Sequence, residues 1–286
     1  MSVRRADKAG SWYPADPNRL RSLLDKCLEP GRVPPPEGEP VAAIVPHAGL
    51  EFSGATAGKA FAALRAATPH TVLVFGAVHT LPLERPAVWA EGAWQTPLGD
   101  APVDAELAAD LCKTAGADPD ERPHQGDNAI EMQMPFIRHC FPGASVVPVA
   151  VPPTPDAAAF GESVWGLVAS GNKRVAAVGS TDLTHYGASF GLMPAGTGQR
   201  AVDWTRENDQ RLIDRMLELD AAAIVPTATQ DHSACGAGAA AATVAYAKAA
   251  GAQGTLLEHT TSHDIMPQPE ASHLVGYAAL VFTRPQ

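Results

Sequence analysis

Short runs of apolar residues alternate along the chain with longer segments in which apolar residues recur every three or four positions. Uninterrupted apolar runs are typical of parallel strands that are buried on both faces. They predict strands at residues 41–45, 72–75, 146–151, 175–178 and 274–282. Because Pro148 lacks the backbone N–H that a central strand donates, we expect the third of these strands at a sheet edge or at a bulge.

The helical period is clearest in Pro17–Leu28, where Leu20, Leu24 and Cys27 fall on one face. Similar patterns predict helices at residues 57–66, 105–114, 157–169, 205–219 and 238–250. A proline-rich link at residues 33–36 joins the first helix to the first strand. Strands and helices alternate over the whole length, which predicts an α/β fold: a single three-layer domain over residues 1–286 with a mostly parallel central sheet.

The charge balance argues against a nucleic-acid partner, because 21 Lys and Arg residues against 31 Asp and Glu residues give a net charge of −10. The N-terminal residues lack the apolar segment of a secretory signal, and the Ala- and Gly-rich residues 234–250 are too weakly apolar to span a membrane. The four cysteines lie far apart without a C-x-x-C motif. We therefore expect a cytoplasmic protein that binds neither nucleic acid nor membrane.

Three histidines share a placement just beyond predicted buried strands. His47 follows the strand at 41–45, His79 follows the strand at 72–75, and His185 follows the strand at 175–178. The carboxyl ends of parallel strands form the edge at which ligands bind in open α/β sheets. One such histidine alone is more often a surface or capping residue, but three together favour a shared site. Imidazole is a common ligand of zinc, copper and iron, so this pattern suggests a metal.

Cys235 directly precedes the predicted Ala-rich helix. The positive end of a helix dipole lowers the pKa of a thiol and favours the thiolate, which is both a nucleophile and a metal ligand. A small buried residue at a tight helix contact is the alternative interpretation of Cys235. Cys27, on the apolar face of its helix, is best interpreted as a core residue.

Six short motifs, in this order along the chain, resemble those of one known family. They are AGSWYP at residues 9–14, PHAG at 46–49, GAVH at 76–79, IEMQMPF at 130–136, STDLTHYG at 180–187 and CG at 235–236. The family is that of the Memo-like proteins, whose bacterial and archaeal members are called AmmeMemoRadiSam system protein B. The resemblance extends from about Ala9 to the last predicted strand.

This resemblance implies a fold similar to that of the class III extradiol dioxygenases, which hold Fe(II) with two histidines and a carboxylate. Carried over to this chain, the histidine ligands are His47 and His79, Cys235 takes the carboxylate position, and His185 is an acid/base. Fe(II) is favoured as the divalent metal, but a His₂Cys set also suits zinc or copper. Ring cleavage therefore does not follow from the fold alone.

The chain departs from the family pattern at Asn128, where a second active-site histidine is expected. An amide forms hydrogen bonds but carries no proton at neutral pH. His124 lies four residues upstream and could take this role if the loop folds back.

Four more residues are candidates for the site, each with an alternative interpretation. Asp182 could orient His185 or hold substrate, or could be a turn residue. Glu131 could accept a hydrogen bond from a ligating histidine, or could be a surface charge. Trp12 and Tyr13 could form an aromatic wall over the pocket, or could pack the N-terminal segment against the core.

Three functions are consistent with these residues. The first is a non-haem, metal-dependent and dioxygenase-like oxidoreductase acting on a small, aromatic or phenolic substrate. The second is a metal-binding protein without turnover that serves a radical SAM enzyme and an AMMECR-type protein, the partners that the family name implies. The third is a metal-free hydrolase or transferase with Cys235 as nucleophile and His185 as base.

Overall fold

The fold is built on one large mixed β-sheet with helices on both faces. The computed structural model describes residues 2–29 and 37–285, so the proline-rich link at 33–36 lies outside the described residues. The strands of the described part are β1 (Val3–Arg4), β2 (Glu39–Val45), β3 (Thr71–Gly76), β4 (Ala87–Val88), β5 (Ala93–Trp94), β6 (Ala101–Pro102), β7 (Asp118–Pro119), β8 (Ser145–Ala150), β9 (Val175–Ser180), β10 (His185–Tyr186), β11 (Gln253–Thr261) and β12 (Leu274–Arg284). Its α-helices are α1 (Pro17–Leu28), α2 (Leu50–Leu64), α3 (Ala105–Asp110), α4 (Met134–Cys140), α5 (Ala157–Ser170), α6 (Gln199–Leu217), α7 (Ala221–Asp231), α8 (Ala237–Ala249) and α9 (Ser262–Ile265).

Four parallel strands form the centre of the large sheet, in the order β2, β9, β3, β8. On one side, β12 pairs antiparallel with β2 and with the strands β10 and β11. On the other side, β4 pairs antiparallel with β8 and parallel with β7. The expectation of a mostly parallel sheet is therefore correct only for the centre. Only the short helix α9 separates β11 from β12, so the chain reverses direction there instead of crossing over the sheet.

All five predicted strands are present, but the edge position expected from Pro148 is wrong. Strand β8 lies inside the sheet, between β3 and β4. The carbonyl of Pro148 accepts a hydrogen bond from Trp89 N at 3.1 Å, so the proline nitrogen also faces β4. The ladder between β4 and β8 contains only Val149 and Ala150 of β8, and it ends before an N–H from Pro148 is needed. Because β4 is short, Pro148 can lie inside the sheet without leaving a hydrogen-bond acceptor of β4 unpaired.

Alternate residues of the central strands pack against opposite layers of helices. In β2, Ala42 and Ile44 belong to the core that includes α5, α6, α7 and α8. Ala43 and Val45 belong to the core that includes α1, α2 and α4. Burial on both faces is why the central strands consist of uninterrupted apolar residues.

The helix predictions are best where the apolar period is uninterrupted. Helix α1 has the predicted bounds, and the Asp16 side chain accepts hydrogen bonds from the backbone N–H groups of Asn18 and Arg19 at its start. Helix α2 begins at Leu50, earlier than predicted, because polar and glycine residues interrupt its pattern. Helix α7 was not predicted, since Pro226 lies inside it. None of the helices in the described part of the chain is long and apolar enough to cross a membrane.

Gly161 allows α5 and α8 to pack backbone against backbone. A Cβ atom built at Gly161 would lie 2.0 Å from the carbonyl oxygen of Ala242 on α8. Gly166 is on the same helix, but no described atom outside its own helix lies within 4 Å of a Cβ atom built there. The two glycines therefore form a matched pair for testing how close this helix contact is.

We expect Gly161→Ala to lower the free energy of unfolding by about 2–3 kcal/mol, because the added methyl group forces the two helices apart. Gly166→Ala should raise it by about 0.5–1 kcal/mol, because alanine is the better helix former. Urea unfolding followed by circular dichroism measures both. Similar effects of the two substitutions would contradict the close contact at Gly161.

Candidate metal centre

The candidate residues meet at the carboxyl edge of the central strands. Ser180, the last residue of β9, is in register with Val45 at the end of β2 and with Gly76 at the end of β3. His47 and His79 follow these two strand ends directly, so both imidazoles lie just beyond the same level of the sheet. A cavity of about 930 Å³ opens at this edge, large enough for a small organic molecule. Its wall includes His47, His79, Asn128, Asp182, His185 and Cys235.

Two imidazoles and one thiol come together inside this cavity. One ligand atom from each of His47, His79 and Cys235 lies within 4.8 Å of the others. Cys235 Sγ is 3.2 Å from His47 Nε2. The two imidazole centroids are 5.3 Å apart, and the ring planes are inclined at 75°. The three residues that the family resemblance implies as ligands are thus adjacent in space, in a group that could hold a metal ion.

Hydrogen bonds fix the orientation of His47. Ser180 Oγ donates to Ala129 O at 2.7 Å and accepts from Gln133 Nε2 at 3.0 Å. With its only proton used, Ser180 Oγ can only accept from His47 Nδ1, which lies 3.0 Å away. Neutral His47 therefore has its proton on Nδ1 and presents the lone pair of Nε2 towards Cys235. Burial lowers the pKa of His47, which favours this neutral form.

A carboxylate orients His79. Asp127 Oδ2 lies 3.3 Å from His79 Nδ1 and accepts a hydrogen bond from the backbone N–H of His79 at 3.0 Å. Asp127 Oδ1 accepts from Ala129 N at 2.8 Å, which holds the carboxylate in place. The hydrogen bond to Asp127 raises the pKa of His79. A carboxylate on one imidazole nitrogen is common behind metal-ligating histidines, because it directs the other nitrogen to the metal.

Cys235 reaches the two imidazoles through a close contact with β9. A Cβ atom at Gly236 would lie 2.6 Å from Ser180 O, so only glycine permits this approach. Cys235 N donates to Asp182 O at 3.3 Å. Burial raises the pKa of the Cys235 thiol, and the Asp182 carboxylate raises it further. The lowered pKa predicted from the helix dipole is therefore wrong, because desolvation outweighs the effect of the helix N-terminus.

Asp182 and His185 line the cavity, but Asp182 does not orient His185. Asp182 Oδ1 accepts from the backbone N–H of His47 at 2.7 Å, and its Oδ2 lies 4.0 Å from His47 Nε2. His185 Nδ1 lies 3.0 Å from Leu183 O, so neutral His185 has its proton on Nδ1 and its lone pair on Nε2. The backbone carbonyl of Leu183, and not Asp182, orients the His185 imidazole. Asp182 instead holds the main chain of His47.

The match to known proteins covers nearly the whole chain. A family model described as Memo-like protein matches residues 4–281. The chain belongs to the Memo-like family. It is 34% identical to a MEMO1 family protein of Methanopyrus kandleri over 96% of this chain and 97% of that protein. A MEMO1 family protein of Sulfolobus acidocaldarius is also 34% identical, over 98% of this chain and 99% of its own length. One from Thermococcus kodakarensis is 33% identical over 99% of this chain and its full length.

Asn128 occupies the position at which a Memo-like protein was expected to carry a second histidine. Its Nδ2 donates to His47 O at 3.2 Å. The amide therefore helps to hold the backbone of a candidate ligand while it lines the cavity. A hydrogen-bonding role of this kind does not require a titratable group.

Glu131 has neither of the roles suggested for it. It is 1% exposed, so it is no surface charge. Its Oε1 accepts from Tyr13 Oη at 2.8 Å and from Lys8 N at 2.7 Å, and its Oε2 pairs with Arg4. The carboxylate thus fastens the N-terminal segment to the core rather than supporting an imidazole. Trp12 and Tyr13 both line the cavity, with Trp12 exposed and Tyr13 buried.

The buried guanidinium of Arg4 organises the loop of residues 124–131. Its Nε donates to His124 O at 3.1 Å, and its Nη2 donates to Asp127 O at 2.8 Å. Its Nη1 donates to the Glu131 carboxylate. A side chain from the start of the Memo-like chain therefore supports the loop that carries the partner of His79. Sequence reasoning missed both Arg4 and Asp127, and the only signal was that Asp127 directly precedes Asn128.

His124 is a core residue and does not replace the missing histidine. It is absent from the cavity wall and packs edge-on against Trp89 and Trp94, with ring centroids 6.1 and 5.7 Å away. Its Nε2 lies 3.2 Å from Ala87 O and donates to it. Burial lowers the pKa of His124 to about 4, so the folded chain holds this imidazole neutral.

We expect His124 to make the protein less stable as the pH falls from about 7 to about 4. The folded chain binds this proton only near pH 4, whereas the unfolded chain binds it near pH 6.5. Protons therefore favour unfolding in this window, by up to about 3 kcal/mol. His124→Gln keeps a donor for Ala87 O and removes the titration, so the free energy of unfolding should depend less on pH.

Urea unfolding at pH 7 and at pH 5 measures this difference. His232→Gln is the matched control, because His232 is exposed. An unchanged pH dependence in His124→Gln would show that His124 is not held neutral.

Proposed function

We propose that this chain binds a divalent metal ion through His47, His79 and Cys235, and that it acts as a dioxygenase-like oxidoreductase on a small aromatic or phenolic substrate. The observation that carries the proposal is the grouping of three ligand atoms within 4.8 Å at the wall of an open cavity. Three protein ligands beside an open space are typical of catalytic metal sites, since the remaining positions are left for water or substrate.

The donor set fits a metal ion. Both imidazoles have their Nδ1 nitrogens engaged, His47 with Ser180 and His79 with Asp127, which leaves each Nε2 available as a ligand. The Cys235 thiol faces His47 Nε2 and has no charged partner of opposite sign among its contacts in the described residues. Two nitrogens and one sulfur suit iron, zinc and copper, and we favour Fe(II) on the similarity to the extradiol enzymes.

A metal ion held there supplies a Lewis acid that polarises an oxygen atom of water, O₂ or a substrate hydroxyl. His185 supplies the proton chemistry. Its Nδ1–H is committed to Leu183 O, so Nε2 is the nitrogen that accepts a proton from a molecule in the cavity. Histidine is the side chain most often used as a general acid or base.

A metal-free reaction with Cys235 as nucleophile and His185 as base has less support. The imidazole adjacent to Cys235 Sγ is that of His47, and His47 Nδ1 is held by Ser180. Burial raises the pKa of the thiol, which disfavours the thiolate that such a nucleophile requires.

We expect Cys235→Ser to lower metal affinity by at least about tenfold, because a hydroxyl is a poor replacement for a thiolate on a soft or borderline ion. Cys27→Ser, Cys112→Ser and Cys140→Ser are the controls, since none of these residues lines the cavity. The four variants are purified without oxygen or chelator, and their metal content is measured by mass spectrometry. Equal metal content in all four would remove Cys235 from the ligand set.

Asp127 and His185 should differ in their effect on metal binding, although both lie close to the cluster. Asp127→Asn weakens the support of His79 and should lower zinc affinity by about 10–100-fold. His185→Gln should leave zinc affinity nearly unchanged, because His185 acts on protons rather than on the metal. Competition with a chromophoric chelator measures both affinities. If His185→Gln loses zinc as readily as His47→Gln, then His185 is a ligand.

A further inference from the structure

Tyr277 lies beside the candidate metal centre on the strand β12. The start of β12 pairs with the loop that carries Asp182 and His185, since Leu183 N donates to Gly276 O at 2.8 Å and Gly276 N donates to Thr184 O at 2.9 Å. Side chains alternate along a strand. Val275 and Tyr277 accordingly line the cavity, while Gly276 faces away from it.

The side chain of Tyr277 is 98% buried, but its hydroxyl oxygen is accessible from the cavity and has no hydrogen-bond partner among the described residues. The chain has four tyrosines, and each of the other three donates to a protein oxygen. Tyr13 donates to Glu131, Tyr186 to Gly196 O and Tyr246 to Val175 O. Among the tyrosine hydroxyls of the described residues, that of Tyr277 alone is not engaged by a protein oxygen, and it is available to a molecule in the cavity.

The surroundings of Tyr277 keep it a hydrogen-bond donor. Burial raises its pKa, and the nearby Asp182 carboxylate raises it further. The phenol therefore retains its proton at neutral pH. The acceptor on the same cavity is His185, whose Nε2 has no partner within residues 2–29 and 37–285. The cavity thus offers one fixed donor and one acceptor close to the metal ligands.

The rest of the wall favours a flat apolar body between these polar groups. Trp12, Phe52 and Phe190 line the cavity, and both Trp12 and Phe190 are partly exposed. Aromatic side chains of this kind pack well against an aromatic ring. The polar atoms and the aromatic wall together fit a small aromatic molecule that carries hydroxyl groups.

We propose that Tyr277 is a substrate-binding residue whose Oη donates a hydrogen bond to an oxygen of a hydroxylated aromatic molecule in this cavity. The proposal rests on the function proposed above, because the same molecule is the one that approaches the metal. No bond is made or broken at Tyr277. Its contribution is to orient the substrate between the donor at residue 277 and the acceptor at residue 185.

The test is the binding of catechol to the zinc-loaded full-length protein, since zinc permits binding without redox turnover. Isothermal titration calorimetry should show catechol affinity about tenfold lower in Tyr277→Phe than in the unmodified protein, the loss expected for one hydrogen bond. Zinc affinity should be unchanged. Tyr246→Phe is the matched control, because it also removes the hydroxyl group of a buried tyrosine side chain but lies outside the cavity. It should bind catechol normally.

A second measurement follows catechol binding in the unmodified protein and does not depend on the folding of Tyr277→Phe. Tyrosines labelled with ¹³C at Cζ give four resonances, which the Tyr13→Phe, Tyr186→Phe and Tyr246→Phe variants assign. The Tyr277 resonance should shift when catechol saturates the zinc-loaded protein, and the Tyr246 resonance should not.

Three results would count against these ideas, and they are distinguishable. Equal catechol affinity in Tyr277→Phe, or a Tyr277 resonance that does not move, overturns the role of Tyr277 and leaves the metal site intact. Zinc-loaded protein that fails to bind catechol overturns the ligand class. Protein that does not retain zinc at all overturns the proposed function, and the role of Tyr277 with it.

Discussion

The parallel pairing of β9 with both of its neighbours determines where the site can form. Because Ser180 is in register with Val45 and with Gly76, the two histidine-bearing segments leave the sheet at one level and are separated only by the strand between them. Ser180 also determines the tautomer of His47, since its Oγ accepts a hydrogen bond from Nδ1 and so keeps the proton on that nitrogen. A one-residue slip of β9 would point this hydroxyl to the opposite face of the sheet. The tautomer of His47 therefore depends on the register of β9.

Much of this arrangement could be predicted from the sequence because it follows from local patterns. The apolar runs predict the central strands, and the histidines that follow them share an edge in any parallel sheet. The resemblance to the Memo-like proteins added Cys235, which pattern alone could not separate from a small core residue. Helix α7 was missed because Pro226 lies inside it, and strand β11 was missed because polar residues interrupt its apolar run.

What could not be predicted is how charged groups are paired inside the protein. Arg4 is a lone basic residue near the N-terminus, and nothing in the sequence indicates that it is buried against the loop of residues 124–131. Glu131 had the pattern of a surface charge but is the buried partner of Arg4. A buried ion needs a partner of opposite charge. Arg4 and Glu131 are such partners, and they lie more than a hundred residues apart along the chain. The wrong interpretation of Glu131 has this cause.

The charges around the cluster explain why a cation suits it. Burial raises the pKa of Asp127, but hydrogen bonds from His79 outweigh burial and leave that pKa below its ordinary value, so the carboxylate is ionised. The Asp182 carboxylate lies 4.0 Å from His47 Nε2, which is the nitrogen next to Cys235 Sγ. Burial opposes a negative charge on the Cys235 sulfur, and the Asp182 carboxylate opposes it further, so the thiol keeps its proton. A divalent cation reverses this balance, because its charge offsets that of the carboxylates and its bond to sulfur replaces the proton. In the proposed site, a bond from a metal ion to this sulfur requires loss of the thiol proton, so we expect metal affinity to increase as the pH rises.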